Sequence, residues 1–165
     1  MPEARFSEQF AQQVRTMQII VIALCMGVLT FRGYVLFQNA GAEAEPAQSQ
    51  TLMWAALIFA VLGGVVGIAI PGLLVSTQRK KIANGTWVSG NQQGPAPETD
   101  EGKRVAVYQT KTIIRAAFFE GPAFLAILAY MSDGHLASLG VAAVLLLALL
   151  TRVPTVSRVE ADQLS

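Results

Sequence analysis

Glu120, Arg32 and Arg115 are charged residues set inside runs of apolar residues in this 165-residue chain. Those runs are long enough to cross a bilayer, which takes about 20 residues. A carboxyl at mid-membrane is unfavourable when ionised, so it must be protonated, paired, or placed beside a hydrated cavity. Glu120 is followed directly by Gly121 and Pro122. Proline has no amide hydrogen, so Pro122 removes the donor that would serve the Phe118 carbonyl, and a kink with a free acceptor is expected next to the acid. A free carbonyl beside a carboxyl supplies the ingredients of an ion or proton site in a broken transporter helix. The same residues also describe a helix bent only for packing, and both readings stand.

If the third apolar run enters the membrane near Val107, Glu120 lies roughly 20 Å along it, and Arg32, counted from Met17, lies roughly 22 Å along the first. Opposite charges at one depth on two helices would neutralise each other, so an Arg32–Glu120 contact is expected. The competing expectation is that Arg32 snorkels to the outer headgroups. Arg115 and Glu120 are five residues apart, about 140° around a helix, and make poor partners. Tyr108, Lys111 and Arg115 instead share a face near the inner end, where the two cations can reach headgroups.

The remaining chemistry is sparse. Cys25 is the only cysteine and His135 the only histidine. Neither belongs to a set with metal-ligand spacing, and no glycine loop for phosphate or nucleophile with an adjacent base is present. No catalytic residue, metal or cofactor is therefore expected, and the chain does not read as an enzyme. With 12 basic and 11 acidic residues and no interleaving of basic with aromatic positions, it does not read as a nucleic-acid binder either.

The elements that must position these groups follow from where the charges are missing. The chain is 53% hydrophobic and only 14% charged, against about 25% charged in an ordinary soluble domain. No charged residue occurs from Pro46 to Gln78, nor from Thr16 to Phe31. The expected organisation is an amphipathic segment at 1–16, a first span at 17–37, an outer loop at 38–51 and a second span at 52–75. A flexible cytoplasmic loop at 76–106 is followed by a third span at 107–131, a turn at 132–135, a fourth span at 136–152 and a tail at 153–165. The leading segment either lies along the membrane interface or extends the first helix. Arg5, Arg15, Ala42-Glu43-Ala44 and the apolar run between them have the outline of a signal peptide, but the acidic lead, the spanning length and Arg32 argue for retention.

Nine basic residues fall in the N-terminal segment, the middle loop and the tail with Arg152 at its edge, and none in the two outer connections. That asymmetry places both termini in the cytoplasm. The fold class expected is all-α, an integral membrane four-helix bundle of two antiparallel hairpins. Arg79, Lys80 and Lys81 are read as an interfacial stop beside anionic lipid, or as a partner site. Asn84-Gly85-Thr86 fits a glycosylation sequon on the side where glycosylation does not occur. Gly63 and Gly67, with Ala60 and Gly64, form a small-residue stripe that admits close helix approach, within the bundle or between two copies. Pro71-Gly72 should bend or end the second span.

The third-span pattern Ile113-Ile114-Arg115-Ala116 followed by Glu120-Gly121-Pro122-Ala123 resembles a group of small bacterial four-span membrane proteins with no assigned activity. The resemblance covers one helix and the span pattern, and implies a bacterial inner-membrane location. A second resemblance, to the proteolipid ring subunits of rotary ATPases, implies an ion-binding role for Glu120. The chain departs from that family in lacking glycine-repeat helices and in carrying its carboxyl in the third span. The expected role is therefore that of a multi-pass inner-membrane protein, structural or partner-binding, whose partners are the bilayer and a second copy or another membrane protein. The alternative is ion or proton translocation through Glu120.

Overall fold

The computed structural model describes residues 2–40, 50–88 and 99–159, with side chains from Phe10 onward. Every long element among them is helical: α1 is Pro2–Asn39, α2 is Thr51–Ala83, α3 is Asp100–Asp133 and α4 is Leu136–Leu150. Three of these, α1 from Phe10 to Asn39, α2 and α3, are long and apolar enough to cross a membrane. α4 has 15 residues, about 22 Å of helix. Glu43, Glu45 and residues 89–98 of the middle loop lie outside the described residues.

Several expected boundaries move. The segment before residue 17 continues α1 without a break, so it extends the first helix. Pro71 does not end α2, and the helix runs on to Ala83. Polar residues beyond a membrane edge do not stop a helix; here Asn84 and Gly85, the latter at φ 68°, do so. The loop expected from 76 is thereby shortened at both ends, since α3 begins at Asp100. Thr99 caps that start, its hydroxyl accepting from the Gly102 amide at 3.2 Å. At the other end of α3, Gly134 takes the left-handed conformation at φ 67° and gives its amide to the Tyr130 carbonyl, closing the tight turn into α4 as expected.

Packing departs from two adjacent hairpins. α3 touches α1, α2 and α4, whereas α1 and α2 do not meet among the described residues. Only α3–α4 forms a packed hairpin. The reason lies in which faces are buried. On α2 the buried positions Ala56, Gly63, Gly67 and Pro71 form a single narrow stripe, and that stripe is taken up by α3. On α1 the buried positions Val14, Met17, Val21, Cys25, Val28 and Val35 fall at helical spacing on one face. Small residues of α3, Ala116, Ala123, Ala126 and Ala129, are buried against these neighbours and let the helices come close.

Side-chain contacts give the helix directions. The Phe31 and Phe124 rings meet at a tilt, 5.4 Å between centroids, while Val14 and Met17 pack with Val105, so α1 and α3 run parallel. Gly63 meets Pro122 and Met53 meets Asp133, so α2 runs antiparallel to α3. After α4 the chain turns back. The Pro154 carbonyl accepts from Gln18 Nε2 at 2.9 Å, and Val159 is fully buried with Val14, Met17 and Val105. The stretch 153–159, part of the tail expected at 153–165, belongs to the packed structure.

Candidate functional site

The α2–α3 contact is organised by two prolines, one on each helix. Pro122 has no amide hydrogen to offer the Phe118 carbonyl, and that oxygen lies against Gly63 of α2. A Cβ at Gly63 would stand 2.8 Å from the Phe118 oxygen and 2.8 Å from the Pro122 ring. Pro71 has the corresponding effect on α2, where the carbonyl that loses its donor is that of Gly67. Arg115 of α3 takes up this acceptor, its Nε donating to the Gly67 oxygen at 3.3 Å. Gly67 itself is in close contact, since a Cβ there would be 2.9 Å from Phe118 Cβ. The Gly63–Gly67 pair thus serves packing within the chain. Ala60 is partly buried at the same core, while Gly64 has open space beside it.

Arg115 therefore has a contact that the interfacial expectation did not include. It is half-buried and bonded to the backbone of a neighbouring helix. The sequence contained the signal, a proline four residues after Gly67, but which cation would answer it depends on how the helices pair. Lys111 lies over the Tyr108 ring at 5.3 Å. Of the α2 basic group, Lys80 and Lys81 occupy the last turn, where positive charge complements the helix dipole.

Glu120 is half-buried in α3 and faces α1, within electrostatic reach of Cys25. Among the described residues, no ion pair joins it to Arg32. Register is the physical reason. Depths counted separately from each span's edge bring the two charges level, but in the folded chain the Phe31–Phe124 contact sets the register and brings Glu120, four residues before Phe124, level with Gly27. Arg32 is thus displaced by about 7 Å along the bundle. The carboxyl is also separated from the carbonyl that Pro122 frees. Residues 118 and 120 are about 200° apart around α3, with Phe118 against α2 and Glu120 towards α1. The composite carbonyl–carboxyl site allowed by the sequence does not form; Gly121 has open space beside it.

Comparisons with protein-family models, with curated proteins and with solved structures find no match for this chain. Its own geometry is what bears on function.

Two polar features had no counterpart among the sequence-based expectations. Asp133, 7% exposed, accepts from the Met53 amide at 3.2 Å. The α3–α4 turn thereby supplies a cap for the first turn of α2, whose own Gln50 makes no side-chain cap bond. The second feature is a cavity of about 250 Å³ where α1, α3, α4 and the returning tail meet. Tyr108, Lys111, Thr112, Arg115, Arg152 and Arg158 line it. Lys111 and Arg115 share a face as expected, but Arg152 and Arg158 join them only because the chain reverses after α4. Among the described residues, no group of His, Cys, Asp and Glu is arranged to hold a metal ion.

Proposed function

We propose that this chain is a multi-pass integral membrane protein of the bacterial inner membrane with both termini cytoplasmic. It acts through its packed helices and its partners, the bilayer and a second copy or another membrane protein, rather than by turnover of a substrate. One observation carries the membrane part of this reading: the outward face of α2. Trp54, Val61, Val65 and Leu73 are 57%, 64%, 61% and 69% exposed, on a helix without a charged residue before Arg79. So large an apolar surface is untenable in water and suits lipid. The orientation rests on the nine basic residues that fall on one side, and the inner-membrane location on the resemblance of the third span.

Cysteine labelling tests the topology. In a Cys25→Ser background, Ser132→Cys should react with an impermeant maleimide in intact spheroplasts, and Thr86→Cys only after permeabilisation. Labelling of residue 86 from outside would refute the orientation. Translocation through Glu120 stands as a second reading, favoured by a half-buried carboxyl that Arg32 does not pair. Its test is Glu120→Gln in proteoliposomes, which abolishes proton or sodium flux if the acid carries the ion and leaves it unchanged if the acid is structural.

A further inference from the structure

We propose that copies of this chain associate head to tail in the membrane, Arg32 of one copy pairing with Glu120 of the next. The inference deepens the second-copy partner named above and rests on the multi-pass reading. Among the described residues, no hydrogen bond or ion pair holds either side chain, although each is half-buried in a helix long and apolar enough to span. A charge at that depth is unfavourable without a partner, and the chain carries one of each sign. Within one copy, α1 itself keeps the two apart. Glu120 stands four residues before Phe124 on α3, so it lies on the flank of α1 where Phe31 and Gly27 meet that ring. Arg32 follows Phe31 by about 100° around α1. It sits two heptads beyond Gln18, which reaches the chain after α4 through the Pro154 carbonyl. Arg32 therefore belongs to the other flank, on the α4 side. One copy cannot close the pair, whereas the two flanks of neighbouring copies can.

The surfaces around the two charges are complementary in shape as well. On the Arg32 flank, Leu29 and Leu36 are exposed three residues before and four after it, an apolar ridge with the guanidinium at its centre. On the other surface, α1 and α2 do not meet over α3, and the uncovered face presents exposed Ala117 and Gly121 beside Glu120. Next to it is an apolar depression of about 410 Å³ between α2 and α3, with Leu62, Gly63, Gly121 and Pro122 in its lining. Copies related by rotation about the membrane normal keep their depths. The register set by Phe31 and Phe124 then brings Leu29 of one copy to the depth of Pro122 in the next, level with the depression. Arg32 lies about 7 Å beyond the depth of Glu120. Its Cα–Cβ bond tilts towards the helix N-terminus, the direction in which that depth lies, and its long side chain spans the offset. Because the two charges sit on different surfaces, the contact is heterologous and closes into a ring or continues as a row. An acid paired in this way serves assembly, not translocation.

The test uses the full chain in a Cys25→Ser background, co-expressed as two differently tagged forms and cross-linked in native membranes with a short bifunctional thiol reagent. Leu29→Cys in one form and Leu62→Cys in the other leave both charges in place and should give a cross-linked dimer carrying both tags. Two Leu29→Cys forms should not cross-link. Arg32→Gln added to the Leu29→Cys form, or Glu120→Gln added to the Leu62→Cys form, should lower the yield about tenfold. Arg32→Lys should keep most of it. The exchanged pair, Arg32→Glu in the first form with Glu120→Arg in the second, should recover the yield that either reversal alone loses. Mass photometry of the unmodified protein in nanodiscs should show species larger than one chain. The proposal is overturned if Leu29→Cys forms cross-link with each other as well as the mixed pair does, or if Arg32→Gln leaves the yield unchanged. It is also overturned by a chain that stays monomeric in nanodiscs, with lipid alone against Leu29 and Leu62. A monomer that still labels at Ser132→Cys with the proposed topology would sink this inference and leave the membrane reading standing.

Discussion

Arg115→Met should destabilise the protein chiefly because it leaves the Gly67 carbonyl without a donor, and Pro71→Ala should undo that part of the damage. Pro71 denies Gly67 the helical bond it would otherwise accept, and Arg115 Nε supplies a replacement at 3.3 Å from α3. A hydrogen bond to a charged donor contributes about 1.5–3 kcal/mol, and the length of this one points to the lower part of that range. Methionine keeps much of the side-chain volume but offers no donor. We expect Arg115→Met to lose about 2 kcal/mol of unfolding free energy, including the penalty of an unmatched buried acceptor. In a Pro71→Ala chain, the amide restored at position 71 reaches the Gly67 carbonyl as an ordinary helical bond, so the same arginine substitution should lose about 1 kcal/mol less. Other contacts of Arg115 are removed in both backgrounds and cancel in the double-mutant cycle. Equilibrium unfolding in mixed micelles, followed by circular dichroism, measures all four proteins. Additive losses, with a coupling energy below about 0.5 kcal/mol, would refute the claim that Arg115 answers the proline on α2.

Gly63→Ala should lose about 1–3 kcal/mol in the same assay because its Cβ would meet the Phe118 oxygen and Pro122 ring at 2.8 Å. Gly64→Ala, with open space, should be neutral or gain up to about 1 kcal/mol from helix propensity. Asp133→Ala should lose about 1 kcal/mol and speed amide exchange at Met53, which loses its acceptor. The Asp100 carboxyl is held below its ordinary range first by its hydrogen bond to Lys103 and then by that residue's charge. Because the folded value is the lower one, its support of the first turn of α3 is present above the ordinary carboxylate range and fades as pH falls through the folded value. Amide protection in that turn, with exchange corrected for its intrinsic pH dependence, should therefore fall on acidification, and Asp100→Asn should remove that change.

The long apolar helices and the α3–α4 turn were legible in the sequence because they depend on local chemistry: uncharged runs, and Gly134 where a left-handed residue is needed. The Gly63–Gly67 stripe was legible too, since only small residues allow such an approach. What could not be read was which helix each face meets. In a soluble bundle, polarity separates the outward face from the inward one, but a chain whose outward face is also apolar loses that contrast. Ile22 and Val21 are equally apolar neighbours, yet one is 49% exposed and the other 1%. The non-contact of α1 and α2, and the offset of Arg32 from Glu120, both follow from that loss. The basic cavity was hidden for another reason: two of its arginines lie beyond α4, and only the reversal held by Gln18 and Val159 brings them back.

The paired prolines also bear on what Glu120 can do. A dehydrated metal cation such as sodium needs several oxygen ligands around it, whereas a proton needs one acceptor and a path. The Phe118 carbonyl, the ligand most naturally offered by the break at Pro122, lies against Gly63 on the far side of α3, and the Gly67 carbonyl is bonded to Arg115. The backbone acceptors freed in α2 and α3 are thus both directed into the α2–α3 contact, away from the acid. Glu120 faces α1, where its electrostatic neighbour is the thiol of Cys25. A carboxyl in those surroundings can exchange a proton, but the neighbouring backbone does not complete a coordination shell for sodium. If flux through Glu120 is found, it should be carried by protons and be indifferent to sodium. Sodium-dependent flux abolished by Glu120→Gln would require α1 and α3 to pack differently from the arrangement set by Phe31 and Phe124.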